Sequence, residues 1–331
     1  MKYDLGKFGR GRIGVVGDFA LDVYWEADMR KSELSRETPH YFLPVVGERM
    51  SPGAAGNVVM NLLALKPAGV LAFGVFGEDW RGYALKALLE KAGCDIGGVF
   101  SADGYTTNTF IKPLRRGFAE NVVYEDPRLD FVNYGPFPSE LEKKLIASLE
   151  AAAPELDVLC VCDQMQFGCG CITKNVRDAI LRLAKKGLKV IVDSRDRIGL
   201  YKDVIVKPNE IESSRAFAGK IPPDDFERLA LALEKRTRRP AIVTAGERGC
   251  YVAEGGKVKH VPAAKVTGEI DFCGAGDTFL SGLAVATAAG FKLADAAAIA
   301  CCCSAVTIKK LKTTGTADRR ELAAVLSKYG K

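Results

Sequence analysis

At 331 residues, 48% apolar and 27% charged, the chain can bury a large core and has the balance of an ordinary globular protein. Its formal charge of +6 is dispersed apart from short clusters such as Lys185-Lys186, Lys235–Arg239 and Lys309-Lys310, and no basic tract of the kind that follows nucleic acid is present. With no apolar run long enough to span a bilayer and no signal-peptide core in the first residues, the expectation is a cytoplasmic protein that binds neither nucleic acid nor membrane.

In chain order, Ile13-Gly-Val-Val-Gly-Asp18 reads as a central parallel strand. Asp18 and Asp22 then fall at its carboxyl end, where open α/β sheets bind ligands, so either can hydrogen-bond sugar hydroxyls or simply sit in a turn. Residues 23–50 lack helical periodicity, and His40–Val46 reads as a strand outside the main rhythm. Ser51-Pro-Gly-Ala-Ala-Gly-Asn57 is a glycine-containing turn opening a helix to about Leu65. Asn57 and Asn61 share one face of that helix, and since Asn is unfavourable inside helices, at least one should have a partner.

From Gly69 the rhythm is regular: strand 70–75, helix 82–92 and a strand near Val99. Residues 105–134 again read as β structure, with strands at 106–114, 119–124 and 127–134. Helix 139–152, strand 156–162, helix 173–186 and strands 188–193 and 203–206 follow. Then come a helical stretch after Pro208-Asn-Glu, helix 224–236, strand 240–244, a hairpin over 252–261 and a strand near Val266. Helices near 277–289, 293–308 and 317–328 finish the chain. Strand–helix alternation predicts one doubly wound, mainly parallel α/β sheet in a single domain over 1–331. The β-rich insertions near 23–50 and 105–134 are expected to form a small lid over its carboxyl edge.

The most informative stretch is Asp271-Phe-Cys-Gly-Ala-Gly-Asp277. A tight glycine turn feeding a helix leaves unpaired N–H groups and partial positive charge, and small residues let an anion approach them. Asp277 in the same turn can take the proton of a hydroxyl that attacks a phosphoryl group held there. On its own it can equally be an acidic partner for the helix dipole. The dinucleotide fingerprint and the Gly-x4-Gly-Lys-Ser/Thr phosphate loop are both absent, which argues against a Rossmann dehydrogenase. Ten cysteines include Cys160, Cys162, Cys169 and Cys171, but paired Cys-x-x-Cys spacing is missing. They are expected to be reduced, metal-free, small apolar residues.

Together these motifs resemble the ribokinase/PfkB family of carbohydrate kinases over roughly residues 12–325. The first glycine turn, Lys207-Pro-Asn-Glu-Ile-Glu212, Val243-Thr-Ala-Gly-Glu-Arg-Gly249 and the Asp271–Asp277 stretch match four family signatures in the family's order. Within the family, Gly17-Asp-Phe-Ala-Leu-Asp22-Val-Tyr-Trp25 and Ser35–Pro39 are most similar to the heptose-phosphate kinases of the ADP-heptose pathway. The resemblance implies ATP-dependent phosphorylation of a sugar or sugar phosphate, heptose 7-phosphate first, with another sugar or a nucleoside as alternatives. It also implies Asp277 as base and Gly274, Ala275 and Gly276, with the backbone of Cys273, as the anion hole. Asn209 and Glu212 would hold magnesium through water, Thr244, Gly246 and Gly249 would line ATP, and Asp271 would support a monovalent-cation loop for K+.

Asp18, Asp22, Gly53, Asn57 and Asp163 are the sugar candidates, with Lys112, Arg115 or Arg116 available to a substrate phosphate. The lid is expected to pair two subunits into a homodimer. The sequence departs from the family pattern at Ala54, where a second glycine is usual, at Cys273, where Thr is usual, and at Cys301 and Lys312. A sugar-binding regulator that keeps the fold is the reading from another class. Its mark would be loss of the base or the glycines, and both are present.

Overall fold

The computed structural model describes residues 3–117, 123–166, 169–311 and 313–329. The chain opens with β1 (Arg12–Gly17), β2 (Phe19–Asp28), β3 (Val45–Ala54) and α1 (Ala55–Ala64). Next come β4 (Gly69–Gly77), α2 (Trp80–Lys91), β5 (Asp95–Ala102), β6 (Thr109–Arg116), β7 (Val123–Glu125) and β8 (Leu129–Phe131). The middle holds α3 (Ser139–Ala152), β9 (Val158–Asp163), α4 (Lys174–Lys185), β10 (Lys189–Ser194), β11 (Ile205–Val206), α5 (Glu210–Ala216) and α6 (Phe226–Thr237). The chain closes with β12 (Ala241–Thr244), β13 (Cys250–Glu254), β14 (Lys257–Val261), α7 (Ala275–Ala288), α8 (Leu293–Thr307) and α9 (Arg319–Leu326).

Among the described residues, nine strands form one sheet in the order β14-β13-β12-β11-β10-β9-β1-β4-β5. All its pairings are parallel except those of the β13–β14 hairpin and its junction with β12. The central strands are apolar on both faces because helices cover both. On β9, Val158, Cys160 and Cys162 pack toward α7 and α8, while Leu159 and Val161 pack toward α4. Cys160 and Cys162 therefore serve as small core residues on one face of a strand, and burial pushes both thiols up.

The second sheet is the lid, in the order β3-β2-β6-β7 with β8 also on β6. Its β2 begins at Phe19, so Asp22 is not a turn residue after β1 but lies in a lid strand opposite Ser51. The strand expected over His40–Val46 forms later, at Val45–Ala54, where Met50 and Pro52 pair across to β2. Residues 119–122 of one expected lid strand, with Phe118, lie outside the described residues. No strand forms near Val266: the segment from Pro262 to Asp271 is irregular, and β14 ends at Val261.

Candidate active site

Helix α7 is buried from Thr278 to Thr287 on all sides, which explains its Ala, Gly and Ser content. A Cβ on Gly282 would approach Cys303 Sγ to 2.9 Å, so glycine there sets the close contact with α8. Ser304 Oγ donates to the Ala275 carbonyl at 2.9 Å and Ser281 Oγ to the Val58 carbonyl at 3.0 Å. The first turn of α7 is thus fixed from α8 and its second turn from α1. Gly274 takes the left-handed conformation at φ 77°, and a Cβ there would meet Asn57 Nδ2 at 2.7 Å.

Not every N–H of the expected anion hole is free. Cys273 N–H is bound to Asp271 Oδ1 at 3.0 Å and Ala275 N–H to the Phe272 carbonyl at 3.1 Å. The N–H groups of Gly274, Gly276 and Asp277 have no partner among the described residues, and these are the ones a bound anion can use.

Asp277 itself accepts a hydrogen bond from Asn57 Nδ2 at 2.7 Å. Asn57 is held in turn by Asn61, whose Nδ2 donates to the Asn57 carbonyl at 2.9 Å, and Asn61 Oδ1 accepts from Thr278 Oγ1 at 3.0 Å. The two asparagines on one helical face therefore tie α1 to α7 and aim the carboxylate. Burial pushes Asp277 up to about 6, the Asn57 hydrogen bond opposes that, and the Asp193 carboxylate adds to it. The turn that feeds α1 is strained: Ala54 sits at φ 50°, ψ −124°, a region glycine occupies freely and other residues at a cost of about 1–3 kcal/mol. The departure from the usual glycine is thus borne as local strain beside Asn57.

Two residues not singled out in the sequence complete the floor of the site. Lys207 and Asp193 form a buried ion pair at 3.1 Å, with side chains 4% and 8% exposed. Burial pulls the Lys207 ammonium down, but Asp193, Glu212 and Asp277 outweigh it and hold it above its usual value. Its Nζ lies 3.9 Å from where a Gly276 Cβ would be, beside the free N–H groups. Glu212 is pushed up to about 7 by burial and by Asp193, with Lys207 opposing. One cation among three carboxylates leaves this floor net negative when all are ionised.

Asn209 and Glu212 form a capping box at the start of α5: Asn209 Oδ1 accepts from Glu212 N at 2.8 Å and Glu212 Oε2 from Asn209 N at 2.9 Å. Glu212 Oε1 has no hydrogen-bond partner among the described residues. A surplus of carboxylate around a single lysine suits a hydrated divalent cation, so the residues present fit magnesium held through water. Asn209 also bridges to Thr244, whose N–H donates to the Pro208 carbonyl at 3.0 Å. Beyond Thr244 the chain turns through Gly246 at φ 54° and Gly249 at φ 90°, and a Cβ on Gly249 would strike the Val261 carbonyl at 2.1 Å. This turn therefore lies directly beside the Asn209–Glu212 cap.

The aspartates expected to bind sugar part company. Asp18 is buried, and its carboxylate accepts from the N–H groups of Gln164, Met165 and Cys171 at 2.8–3.0 Å, clamping the loop after β9. Asp163 is wholly buried, bound to Ser194 at 2.8 Å, Tyr201 at 2.9 Å and the Arg197 guanidinium. Both are structural hubs rather than free sugar ligands. Asp22 differs: its carboxyl faces Gly53, where a Cβ would come within 2.6 Å. Burial raises Asp22, while Lys112 and Arg128 pull it down. On the same lid face Lys112 Nζ lies 3.4 Å from the Tyr24 hydroxyl, and Arg49 stacks 4.0 Å from the Tyr24 ring centroid. Arg115 is engaged elsewhere, paired with Asp126 at 3.0 Å.

The model of the pfkB family carbohydrate kinases matches residues 47–320. The chain belongs to that family. Among its relatives, the "Bifunctional protein HldE" of Aeromonas salmonicida is 33% identical over 98% of this kinase and 66% of its own length. The protein of the same name from Citrifermentans bemidjiense is 31% identical over 95% and 63%. The kinase thus spans about two thirds of the curated relatives it matches. Its fold is similar to Arabidopsis thaliana ribokinase complexed with ribose and ATP, with a TM-score of 0.69 at 19% identity over 96% and 98% of the two chains. It is also similar to Escherichia coli phosphofructokinase-2 in complex with potassium, with a TM-score of 0.73 at 17% identity over 97% and 100%.

Proposed function

We propose that this kinase transfers the γ-phosphoryl group of ATP to a hydroxyl of a sugar that already carries a phosphate, heptose 7-phosphate being the acceptor the sequence favours. The observation that carries the reading is the Asn57–Asp277 hydrogen bond of 2.7 Å, which aims a carboxylate beside the free N–H groups of Gly274 and Gly276. In the reaction, Asp277 takes the hydroxyl proton as the acceptor oxygen bonds to the γ-phosphorus and the bond to the ADP oxygen breaks. The free N–H groups and Lys207 face the charge that develops on the phosphoryl oxygens. Asn209 and Glu212 would hold magnesium through water, and when bound it neutralises charge between the ATP phosphates. The Thr244–Gly249 turn lines the nucleotide, and Asp22 and Gly53 receive the sugar.

Lys112 supports a phosphorylated acceptor. It shares a lid face with Asp22 and Tyr24, as Arg49 does, and has no acidic ion-pair partner among the described residues. The likeness to the HldE proteins and the Leu21-Asp-Val-Tyr-Trp25 pattern favour a heptose among such acceptors. Lys112→Ala is expected to raise KM for a sugar phosphate by on the order of ten-fold or more while leaving an unphosphorylated sugar unchanged. Equal effects on both acceptors would remove Lys112 from phosphate recognition.

The lid also supports a homodimer. It exposes Tyr41 (66%), Val46 (51%), Tyr124 (53%) and Tyr134 (78%). A small sheet packed on one face is marginal alone, and a second copy covers such a surface with two-fold symmetry. Light scattering at protein concentrations on the order of tens of micromolar should give twice the chain mass. A fully active monomer would contradict the dimer and leave the kinase chemistry untouched.

A further inference from the structure

An amide side chain can be placed either way round, and the end that faces a carboxylate decides whether it stabilises the charge or opposes it. For Asn57 that choice is made one turn away. Asn61, 1% exposed, has its Nδ2 at 2.9 Å from the Asn57 backbone carbonyl. A carbonyl only accepts, so this end of the Asn61 amide is its NH2 group. The other end, Oδ1, takes the hydrogen of Thr278 Oγ1 at 3.0 Å. The same NH2 group lies 3.2 Å from the side-chain amide of Asn57, which therefore presents Oδ1 to it. That leaves the Asn57 NH2 group to face Asp277, where it donates to Oδ2 at 2.7 Å. One backbone carbonyl of α1 thus sets the direction of every bond up to the carboxylate on α7. Asp277 Oδ1 has no hydrogen-bond partner among the described residues.

We infer that Asn61 is a positioning residue that locks the Asn57 amide with its NH2 group toward Asp277, so that Oδ2 is occupied and the hydroxyl proton is taken up on Oδ1. The inference rests on Asp277 as the base, and it assigns the oxygen that acts and the group that keeps it ready. As the acceptor O–H bond breaks, its electron pair bonds to the γ-phosphorus, the bond to the ADP oxygen breaks and the proton stays on Oδ1. Without Asn61, Asn57 Oδ1 loses its donor and the amide is free to turn its carbonyl oxygen to Asp277. Two acceptors then meet. A proton on the carboxyl relieves that contact, and a protonated carboxyl cannot serve as the base. The charged and titratable groups that face Asp277 are Asp22 of β2, Cys162 of β9, Asp193 of β10 and Lys207 after β11. None of them hydrogen-bonds to Asn57 or Asn61 among the described residues, so a change at Asn61 leaves them in place.

The test follows the side-chain carboxyl carbon of Asp277 by carbon-13 NMR in the full-length kinase, with Asp277→Asn identifying the signal, beside the pH profile of kcat. In Asn61→Leu the midpoint of that titration should rise by on the order of one pH unit. Turnover at about pH 6 should fall several-fold and return above about pH 8. Asn61→Ser is the gentler variant: a helical serine bonds to the carbonyl four residues back and leaves Asn57 Oδ1 without a donor, so both readouts should move the same way. Thr278→Val strands Asn61 Oδ1 but keeps the carbonyl anchor, so it should lower the melting temperature with the Asp277 midpoint unmoved. An Asp277 titration unaltered in both Asn61 variants would overturn the inference. So would a shift as large in Thr278→Val, since packing and not the direction of the amide would then control the carboxyl. A titration that moves while turnover keeps its wild-type profile would overturn Asp277 as the group that takes the proton, and would leave the lock on the Asn57 amide standing.

Discussion

Asp277→Asn is expected to lower kcat by on the order of 10²-fold or more, the usual cost of losing a positioned general base. The substitution keeps the shape of the side chain, and its carbonyl oxygen can still accept from Asn57 Nδ2, so fold and nucleotide binding should survive. Stability gives an independent check. The folded protein raises Asp277 from 3.8 to about 6, so ionising it works against the fold. That penalty is absent below pH 3.8, grows as pH rises through this window and is complete above about 6. The Asn variant should therefore be at least as stable as the wild type at neutral pH and lose any advantage in acid. Wild-type turnover should fall on the acid side as the cluster of Asp277 and Glu212 takes up protons, with the limb belonging to both groups. A variant with near wild-type turnover would take Asp277 out of the reaction.

Lys207→Met should have the largest effect on the fold. It removes the cation from a buried pair and leaves Asp193 among Glu212 and Asp277 with nothing to balance it. Breaking such a pair from one side costs about 3–5 kcal/mol, read as a fall in the denaturant midpoint. Adding Asp193→Asn should restore much of that stability, since the stranded charge is gone, while turnover stays low because the ammonium beside Gly276 is still missing. If the double variant recovered turnover along with stability, Lys207 would be a structural residue only. If the single variant kept wild-type stability, the pair would not matter to the fold.

The parts of this molecule that could be read from residue order are those set by local physics. The Gly274-Ala-Gly276 turn, the buried helix after it and the Asn57–Asn61 face follow from spacing and residue size, and the structure places them against each other. The Asn209–Glu212 cap is equally local. What could not be read depends on depth along neighbouring strands. Asp18, Asp163 and Asp193 all stand at carboxyl ends of strands that pair in register, with Cys162 opposite both Gly17 and Asp193. Nothing in their sequence neighbourhoods says that the first clamps a loop, the second faces Arg197 and Tyr201, and the third meets Lys207. Asp193 did carry the same signal as the other two, and only the three-dimensional register selects it. The lid strands were misplaced for a related reason: β2 is buried along nearly its whole length, its Asp22 included, and β3 is mostly exposed or intermediate, so neither shows the alternation that would have fixed its bounds.

The central claim is most directly tested by ADP release, measured with magnesium and ATP over matched sugars and sugar phosphates including heptose 7-phosphate. The account predicts release that depends on the acceptor, is strongest for a phosphate-bearing sugar, and disappears in Asp277→Asn. Release that is independent of any acceptor, or that prefers the unphosphorylated member of every pair, would contradict it.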